Sequence, residues 1–341
     1  MRVLMIGGTG TISAAIVRRL AAETDWELWV LNRGNRSSEL PGRITQITAD
    51  IHNETDVAEK LGDVRFDAVC DFISFHLEDV ERAWRLFRGR TGQYLFTSSA
   101  SAYHKPPADY RVSEATALAN PWWQYSRDKI ACEEYLMDRY RQEGFPVTIV
   151  RPSHTYDERH IPTGLHGKRG FWQVIQRMRE GKPVLVHGDG TSLWTVTFNT
   201  DFAVGYTGLL GNPRAIGEAV QITGDETLSW NQIYETIAAA LGVEARLCHV
   251  SSEFLAAAGK KYGYDFAGSL LGDKSVSVVF DNTRLHRLVP EMTTSVPFHR
   301  GVRIALDYIL SHPAECQIPD PEFDAWCDRV AAALDRAQQE I

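Results

Sequence analysis

The sequence predicts an α/β fold, a doubly wound parallel sheet followed by a smaller, mixed α/β domain. First, an apolar, strand-like run at residues 2–6 leads directly into a glycine-rich turn and a helical pattern. Second, strand-like and helical segments alternate through the first half, which is typical of a parallel sheet with helices on both faces. Third, polar residues come directly after the strands, where such sheets bind ligands.

The glycine-rich turn at the start of the chain predicts a phosphate site. Gly7-Gly8-Thr9-Gly10 joins the first strand to a helical pattern at residues 11–20. Glycines allow a sharp turn and the close approach of a pyrophosphate, and the amides and dipole of a helix N-terminus bind the anion. Ser13 stands where a third glycine commonly packs helix against strand, so we expect a slightly wider gap and retained binding. The residues predicted to hold a dinucleotide here are Gly7, Gly10, Thr11 and Ile12.

Further segments continue the alternation of strands and helices. Short apolar runs predict strands at residues 27–31, 44–48, 66–73, 94–99, 147–152, 183–186 and 219–224. Apolar spacing predicts helices at residues 55–61, 77–87, 125–142, 171–180, 230–241, 253–262, 302–310 and 321–339. We predict a dinucleotide-binding domain over residues 1–165, completed by parts of 190–225 and 275–290, and a mainly substrate-binding domain over 166–341.

The end of the second strand bears on the choice of cofactor. An acidic side chain at this position binds the adenosine ribose in many dinucleotide folds, but here the residue is Asn32, followed by Arg33 and Arg36. The missing carboxylate removes a clash with a 2′-phosphate, and guanidinium groups bind phosphate. The sequence therefore predicts NAD(P) as the cofactor, with NADP favoured over NAD. The alternative interpretation is that Arg33 and Arg36 are solvated loop residues without a role in binding. Asp50 and Ile51, after the third strand, are the predicted contacts of the adenine edge.

A serine, a tyrosine and a lysine form the predicted catalytic set. Ser99 ends the fifth strand, and Tyr125 and Lys129 lie four residues apart on one helix face. A phenol titrates near about 10, and a nearby ammonium lowers its pKa. The lysine can also hold ribose hydroxyls, while Ser99 binds the reacting oxygen. Such a set transfers a proton to or from a hydroxyl or carbonyl while nicotinamide exchanges a hydride. Further predicted cofactor contacts at strand ends are Ser74, Ser98 and Ser153.

These motifs resemble the extended short-chain dehydrogenase/reductases, the group of nucleotide-sugar epimerases and dehydratases. The resemblance rests on GGTGTIS at 7–13, Asp50-Ile51, TSSASAY at 97–103, YSRDK at 125–129 and RPSHTY at 151–156, and more loosely on 188–203 and 280–285. It implies a Rossmann domain, a tightly held nicotinamide cofactor and the same catalytic serine, tyrosine and lysine. RPSHTY and FDNTRL also resemble a branch that contains chloroplast stem-loop RNA-binding homologues.

The residues predicted to bind the substrate match the family's motifs less closely than the cofactor and catalytic residues do. Enzymes of this group commonly grip a nucleotide diphosphate with an arginine shortly after the turn at residues 187–190, but this chain has Thr191-Ser192-Leu193-Trp194-Thr195. Arg169, Lys168 or Arg284 can replace that contact, and an indole can stack on a base or sugar. His154 follows the sixth strand and either contacts the substrate or only lines the cleft. The predicted substrate contacts are His76, Ser99, Ser101, His154, Arg169 and Trp194.

The first hypothesis for function is a nucleoside-diphosphate sugar epimerase. A hydride leaves the substrate carbon for nicotinamide as Tyr125 takes the hydroxyl proton, and its return to the other face of the keto intermediate gives the epimer. Ala100-Ser101 replaces the acidic pair that dehydratases of this group use, so 4,6-dehydration is not expected. An NADP-dependent carbonyl or sugar reductase is the main alternative, and a non-catalytic RNA-binding or regulatory homologue is a third.

Composition restricts the partners of this 341-residue chain. Its net charge of −8 argues against nucleic acid, whose phosphates demand a basic surface. No apolar run reaches the ~20 residues of a membrane span. Five scattered cysteines without a C-x-x-C pair suggest reduced thiols and a cytoplasmic location, and no histidine pair has metal-ligand spacing on one helix. We expect a small-molecule substrate, no membrane, no metal and possible homodimers.

Overall fold

A computed structural model of the chain describes residues 1–35 and 41–341. Its strands are β1 (Arg2–Ile6), β2 (Glu27–Asn32), β3 (Ile44–Thr48), β4 (Ala68–Asp71), β5 (Tyr94–Thr97), β6 (Arg111–Val112), β7 (Val147–Pro152), β8 (His154–Tyr156), β9 (Val184–His187), β10 (Leu193–Trp194), β11 (Val196–Phe198), β12 (Ala219–Ile222), β13 (Leu228–Ser229), β14 (Leu247–Val250) and β15 (Val279–Phe280).

The helices follow the strands through the chain. They are α1 (Thr11–Glu23), α2 (Glu54–Leu61), α3 (Leu77–Phe87), α4 (Gln124–Glu143), α5 (Trp172–Arg179), α6 (Asn199–Leu209), α7 (Trp230–Leu241), α8 (Ser252–Lys260), α9 (Thr283–Leu288), α10 (Phe298–Ser311), α11 (Pro313–Cys316) and α12 (Pro321–Glu340). A π-helix over Ala267–Lys274 lies between α8 and β15.

The central sheet has seven parallel strands in the order β12-β7-β5-β4-β1-β2-β3. This order reverses at β1, so the chain winds outward in both directions from the first strand. In such sheets, ligands bind beyond the carboxyl ends of the strands at the reversal. The predicted doubly wound parallel sheet is therefore confirmed.

Apolar strands at the centre of the sheet explain why helices cover both of its faces. All residues of β4, β5 and β7 are buried, as their continuous apolar runs require. On one face, α1 and α6 pack in a core that includes Ile16 and Phe202. On the other face, α2, α3 and α4 pack in a core that includes Val57 and Leu136.

The C-terminal half builds a third core beside the carboxyl edge of the sheet. Residues of α5, α7, α10 and α12 pack there around Trp230 and Trp326, and β9 pairs in parallel with β14. Ser229 caps α7 by accepting a hydrogen bond from the amide of Gln232 at 3.2 Å, as expected for a serine at this position. This half places the end of the π-helix beside the residues at which β5 and β7 end.

Three further features concern membrane spans, metal-binding clusters and cysteines. In the described ranges, no helix is long and apolar enough to cross a membrane. Over the same ranges, no group of three or more acidic, histidine or cysteine side chains is arranged to hold a metal ion. All five cysteines are free thiols, and only Cys248 is not fully buried.

Candidate active site

The glycine turn between β1 and α1 has the geometry that a phosphate site requires. Gly7 has φ +86°, and a Cβ there would collide with Cγ2 of Ile73, so this position accepts only glycine. The Ser13 hydroxyl donates to the carbonyl of Gly7 at 2.6 Å and accepts from the amide of Gly10 at 2.9 Å. Ser13 therefore ties the two ends of the turn together, a role that its small size alone did not predict.

A cleft opens beside this turn, across the carboxyl ends of β1, β2 and β3. This glycine-turn cleft is lined by Gly7, Thr9, Gly10, Leu31, Asn32, Arg33, Asn35, Ala49, Asp50, Ile51, His52, Ile73 and Phe75. It thus brings together six of the residues that the sequence assigned to the dinucleotide, which are Gly7, Gly10, Asn32, Arg33, Asp50 and Ile51. Arg36 lies outside the described residues.

The tip of β2 offers a hydrogen-bond donor to this cleft. Asn32 Oδ1 accepts from the amide of Gly34 at 2.9 Å and from Gln46 Nε2 at 3.0 Å. Its Nδ2 is buried and has no hydrogen-bond acceptor within the described ranges. Arg33 beside it is exposed. A free amide donor, an exposed guanidinium and a glycine turn fit a dinucleotide with a ribose and phosphate at this end of the cleft.

Other residues predicted to contact the cofactor have different surroundings. The Ser74 hydroxyl donates to Asp71 Oδ2 at 2.6 Å, and the Ser98 hydroxyl donates to the buried carboxylate of Glu133. Thr11 is exposed and lines a separate cavity, while Ile12 packs against the core of α1 and α6. The side chains of Ser74 and Ser98 are therefore committed to internal hydrogen bonds.

A second cavity lies where β5, β7 and α4 meet. This Tyr125 cavity is lined by Ser99, Ala100, Ser101, Trp123, Tyr125, Pro152, Ser153, His154, Trp194, Asp273, Lys274 and Phe280. The rings of Trp123 and Phe75 hold the tyrosine ring, with centroids 5.0 and 6.3 Å away. Two of the three predicted catalytic residues, Ser99 and Tyr125, thus share one cavity although they lie 26 residues apart.

A chain of serine hydroxyls orients Ser99. Ser99 Oγ is 2.9 Å from Ser101 Oγ, which in turn accepts from Ser126 Oγ at 2.8 Å. The amide of Ser101 also donates to Ser99 Oγ at 3.2 Å. Because Ser126 is fully buried in α4, this chain fixes the hydroxyl that faces the cavity.

Lys129 lies beneath Tyr125 and is buried. Its ammonium donates to the carbonyls of Ser74 and Thr97, at 2.7 and 2.8 Å, and lies 6.0 Å from the centroid of the Tyr125 ring. Burial lowers the pKa of Lys129 to about 8. The lysine therefore joins the ends of β4 and β5 to helix α4.

The pKa of Tyr125 is not lowered, contrary to the prediction from the sequence. Burial raises the pKa of this phenol above its ordinary value, a hydrogen bond with Ser99 opposes the rise, and the charge of Asp273 adds to it. Lys129 does not lower this pKa, because its ammonium is bound to two carbonyls and lies against the ring rather than at the hydroxyl. At neutral pH Tyr125 is accordingly a protonated phenol, suited to donating a proton.

The residues predicted to contact the substrate divide into two groups. Ser101, His154 and Trp194 line the Tyr125 cavity together with Ser99, as does Ser153 from the cofactor prediction. His154 is neutral, because burial and then the charge of Lys274 lower its pKa well below the usual value. Trp194 is buried against Trp230, with ring centroids 5.7 Å apart.

The other two residues predicted to contact the substrate, Arg169 and His76, do not line the Tyr125 cavity. Arg169 donates to the carbonyl of Pro319 at 3.3 Å and lines a cavity beside Thr11. His76 is exposed, with Nδ1 3.4 Å from Asp128 Oδ2. Arg284, an alternative diphosphate contact, pairs with Glu218 at 2.6 Å near the sheet edge. Neither arginine can therefore act in the Tyr125 cavity without a rearrangement.

Sequence reasoning missed two charged residues of the cavity. Asp273 and Lys274 end the π-helix, whose period of more than four residues per turn leaves no helical pattern to detect. The Asp273 carboxylate is 3.4 Å from the buried ammonium of Lys105. The only available signal was their position shortly before the FDNTRL segment of the resemblance.

Comparisons with known proteins identify the family of the chain. The sequence profile of the NAD dependent epimerase/dehydratase family matches residues 3–223. The 2′-dehydrokanamycin reductase of Streptomyces kanamyceticus is 28% identical over 98% of this chain and 91% of its own length. The chloroplast stem-loop binding protein of 41 kDa b from Arabidopsis thaliana is 25% identical over 78% of this chain and 70% of its own.

A solved structure extends the similarity of fold to the C-terminal half. The UDP-glucuronic acid 4-epimerase of Bacillus cereus, crystallised with UDP-glucuronic acid and NAD, superposes with a TM-score of 0.71. The alignment covers 91% of this chain and 99% of the epimerase at 20% identity. At this identity, the likeness concerns the fold.

Proposed function

The chain belongs to the NAD-dependent epimerase/dehydratase family, and from this premise we propose that it is an NAD(P)-dependent epimerase of a sugar-like, hydroxyl-bearing substrate. The observation that carries the proposal is the shared cavity of Ser99 and Tyr125 beside the glycine-turn cleft. When bound, nicotinamide supplies the acceptor and donor of a hydride.

The residues that would hold the cofactor lie along the glycine-turn cleft. Gly7 and Gly10 would leave room for the pyrophosphate, and the N-terminus of α1 would stabilise its charge. Asn32 and Arg33 would hold the adenosine ribose, and Asp50 would contact the adenine, since all three line this cleft. We propose NADP over NAD because this end of the cleft has a guanidinium and, at the tip of β2, an amide in place of a carboxylate.

The chemistry assigned to the protein is proton transfer at one substrate oxygen. Tyr125 exchanges its phenolic proton with that oxygen, while the Ser99 hydroxyl, held by Ser101, hydrogen-bonds to the same atom. Lys129 keeps α4 against the ends of β4 and β5, which fixes the position of the phenol. Epimerisation requires Tyr125 to act in both directions, first as base and then as acid. The first step therefore needs the deprotonated phenol, which the raised pKa of Tyr125 makes a minor form at neutral pH.

A carbonyl reductase is the second candidate. It is favoured by the raised pKa of Tyr125, because a protonated phenol is ready to donate to a ketone oxygen. The 2′-dehydrokanamycin reductase, which matches 98% of this chain, is a reductase by name. The RNA-binding alternative requires a basic surface, which a net charge of −8 opposes.

The experiment that separates these functions follows both substrate and cofactor. The purified protein is incubated with a panel of nucleotide sugars and sugar ketones, and the products are separated by chromatography and mass spectrometry. An epimerase interconverts isomers without net consumption of NAD(P)H, whereas a reductase oxidises one NAD(P)H per product. Salt-sensitive RNA binding, without either reaction, would instead favour the third alternative.

The predictions of a homodimer and of a cytoplasmic location remain predictions.

A further inference from the structure

We propose that Phe75 is a gate between the two cavities of the site. Its ring covers the ammonium of Lys129 in the free protein and is displaced when the nicotinamide end of the cofactor reaches Tyr125. This inference rests on the proposed function, since it concerns the binding of NAD(P) to the same site. Phe75 belongs neither to the catalytic set nor to the predicted contacts of the cofactor.

Phe75 lies where the glycine-turn cleft and the Tyr125 cavity meet. It lines the glycine-turn cleft together with Gly7 and Gly10, and its ring packs against that of Tyr125, with centroids 6.3 Å apart. Among the described residues, none lines both cavities. A dinucleotide whose pyrophosphate is at the glycine turn must therefore pass the position of Phe75 to bring its nicotinamide beside Tyr125.

The ammonium of Lys129 lies beneath the Phe75 ring. It is 4.4 Å from the centroid of this ring and 4.8 Å from that of Phe96, distances at which an aromatic face attracts a cation. Two of its three N–H donors are used by the carbonyls of Ser74 and Thr97. In the described part of the chain, the third donor has no hydrogen-bond acceptor. Because Lys129 is only 1% exposed, removal of the Phe75 ring would open this donor to the cleft.

The contacts of Phe75 fix its backbone and leave its side chain free to rotate. Its amide donates to Asp79 Oδ2 at 3.0 Å, and the amide of His76 donates to the same atom at 3.1 Å. The carbonyl on the other side, of Ser74, accepts from the Lys129 ammonium at 2.7 Å. Phe75 is nevertheless 41% exposed. A rotation about its Cα–Cβ bond can therefore carry the ring into solvent while the backbone stays in place.

Opening the gate exposes a donor to a cofactor that offers acceptors. The ribose next to nicotinamide carries two hydroxyls, whose oxygens accept hydrogen bonds from an ammonium. Such a hydroxyl would replace the aromatic ring at Lys129, while the bonds to Ser74 and Thr97 remain. The closed gate lowers the apparent affinity for the whole dinucleotide, because binding must first break the contact between ring and ammonium. A ligand that occupies only the adenosine end of the cleft does not meet this cost.

Matched ligand pairs test the gate in solution. Isothermal titration calorimetry compares NADP with adenosine 2′,5′-bisphosphate, and NAD with adenosine 5′-monophosphate, because the second member of each pair lacks the nicotinamide half. Phe75→Ala should bind the dinucleotides about 5- to 30-fold more tightly than the parent, equivalent to about 1–2 kcal/mol, with unchanged affinity for the adenosine ligands. Leu77→Ala is the matched control and should change neither affinity, since Leu77 is also 41% exposed but does not line the glycine-turn cleft. Unchanged or weaker binding of both dinucleotides by Phe75→Ala would overturn the inference.

Chemical labelling of Lys129 tests the gate without any cofactor. The protein is treated briefly with acetic anhydride, and mass spectrometry of its peptides compares the acetylation of Lys129 with that of the exposed Lys261. Lys129 should react about 5- to 30-fold faster in Phe75→Ala than in the parent, and thermal unfolding checks that the variant is folded. Equal rates in the two proteins would overturn the inference. If the parent binds neither NADP nor NAD, the proposed function fails, and the labelling still decides whether Phe75 covers Lys129.

Discussion

Replacing Tyr125 with phenylalanine tests the assignment of the proton-transfer group. The change removes one hydroxyl, whose hydrogen bond with Ser99 affects its pKa, and leaves the ring between Trp123 and Phe75. Loss of a single hydrogen bond changes the free energy of unfolding by about 1 kcal/mol. Loss of general acid–base catalysis typically slows turnover by about 10²–10⁴-fold, equivalent to roughly 3–5 kcal/mol of activation free energy. The variant should therefore be folded, bind cofactor and turn over very slowly.

The assay measures kcat, cofactor affinity and thermal unfolding on the same preparations. Tyr135→Phe is the matched control, because Tyr135 lies on the same helix, ten residues further on, and does not line the Tyr125 cavity. Its kcat should equal that of the parent. If Tyr125→Phe keeps kcat within about threefold of the parent, another group moves the proton and the reasoning from the shared cavity is refuted.

Three further predictions concern the cofactor, the core and pH. Arg33→Ala should weaken NADP binding by about 5- to 10-fold while hardly affecting NAD binding. Equal losses of affinity for NADP and NAD in fluorescence titrations would show that this arginine does not bind the 2′-phosphate. Glu133→Gln leaves the buried Arg151 without its partner and should lower the free energy of unfolding in urea by roughly 3–5 kcal/mol, against under ~1 for the exposed Glu143→Gln. Burial lowers the pKa of His160 to about 4, so below about pH 6.5 this histidine takes up a proton in the unfolded chain but not in the folded protein. The folded protein is therefore fully stable with respect to this group above about pH 6.5, and that stability is lost as the pH falls through 4. In His160→Phe, the free energy of unfolding should fall by about 3 kcal/mol less between pH 6.5 and pH 4 than it does in the parent protein. An unchanged pH profile of unfolding would contradict the assignment.

The parallel sheet could be predicted because its signals are local. Runs such as residues 2–6 and 147–152 are apolar throughout and are bounded by turn residues, so each of these two strands was assigned its full length. Helix α4 was predicted from its apolar spacing, and the family from short motifs in the same half. These motifs occur where the backbone must take one conformation, as Gly7 does.

The side of the site that faces the substrate could not be predicted in the same way. Helix α6, which packs with α1 on one face of the sheet, was not predicted either, because it begins directly after β11 without a polar cap and the transition leaves little trace in the sequence. Arg169 was one of three cations predicted to replace the missing diphosphate contact, but its position depends on contacts with Pro319 and Asp320, about 150 residues away. The partners of Lys129 were likewise invisible, because spacing along a helix shows a shared face but not which atoms the ammonium meets.

The π-helix has a consequence for how this site can diversify. Deleting one residue within Ala267–Lys274 would return the segment to an α-helical period and turn whatever follows by about 100°. The lysine would then take the direction that the aspartate has now, and the aspartate would turn away from it, while Ser99 and Tyr125 stayed where they are. A change in chain length, rather than a substitution, is thus the shortest route to a new ligand preference on an unaltered reaction centre.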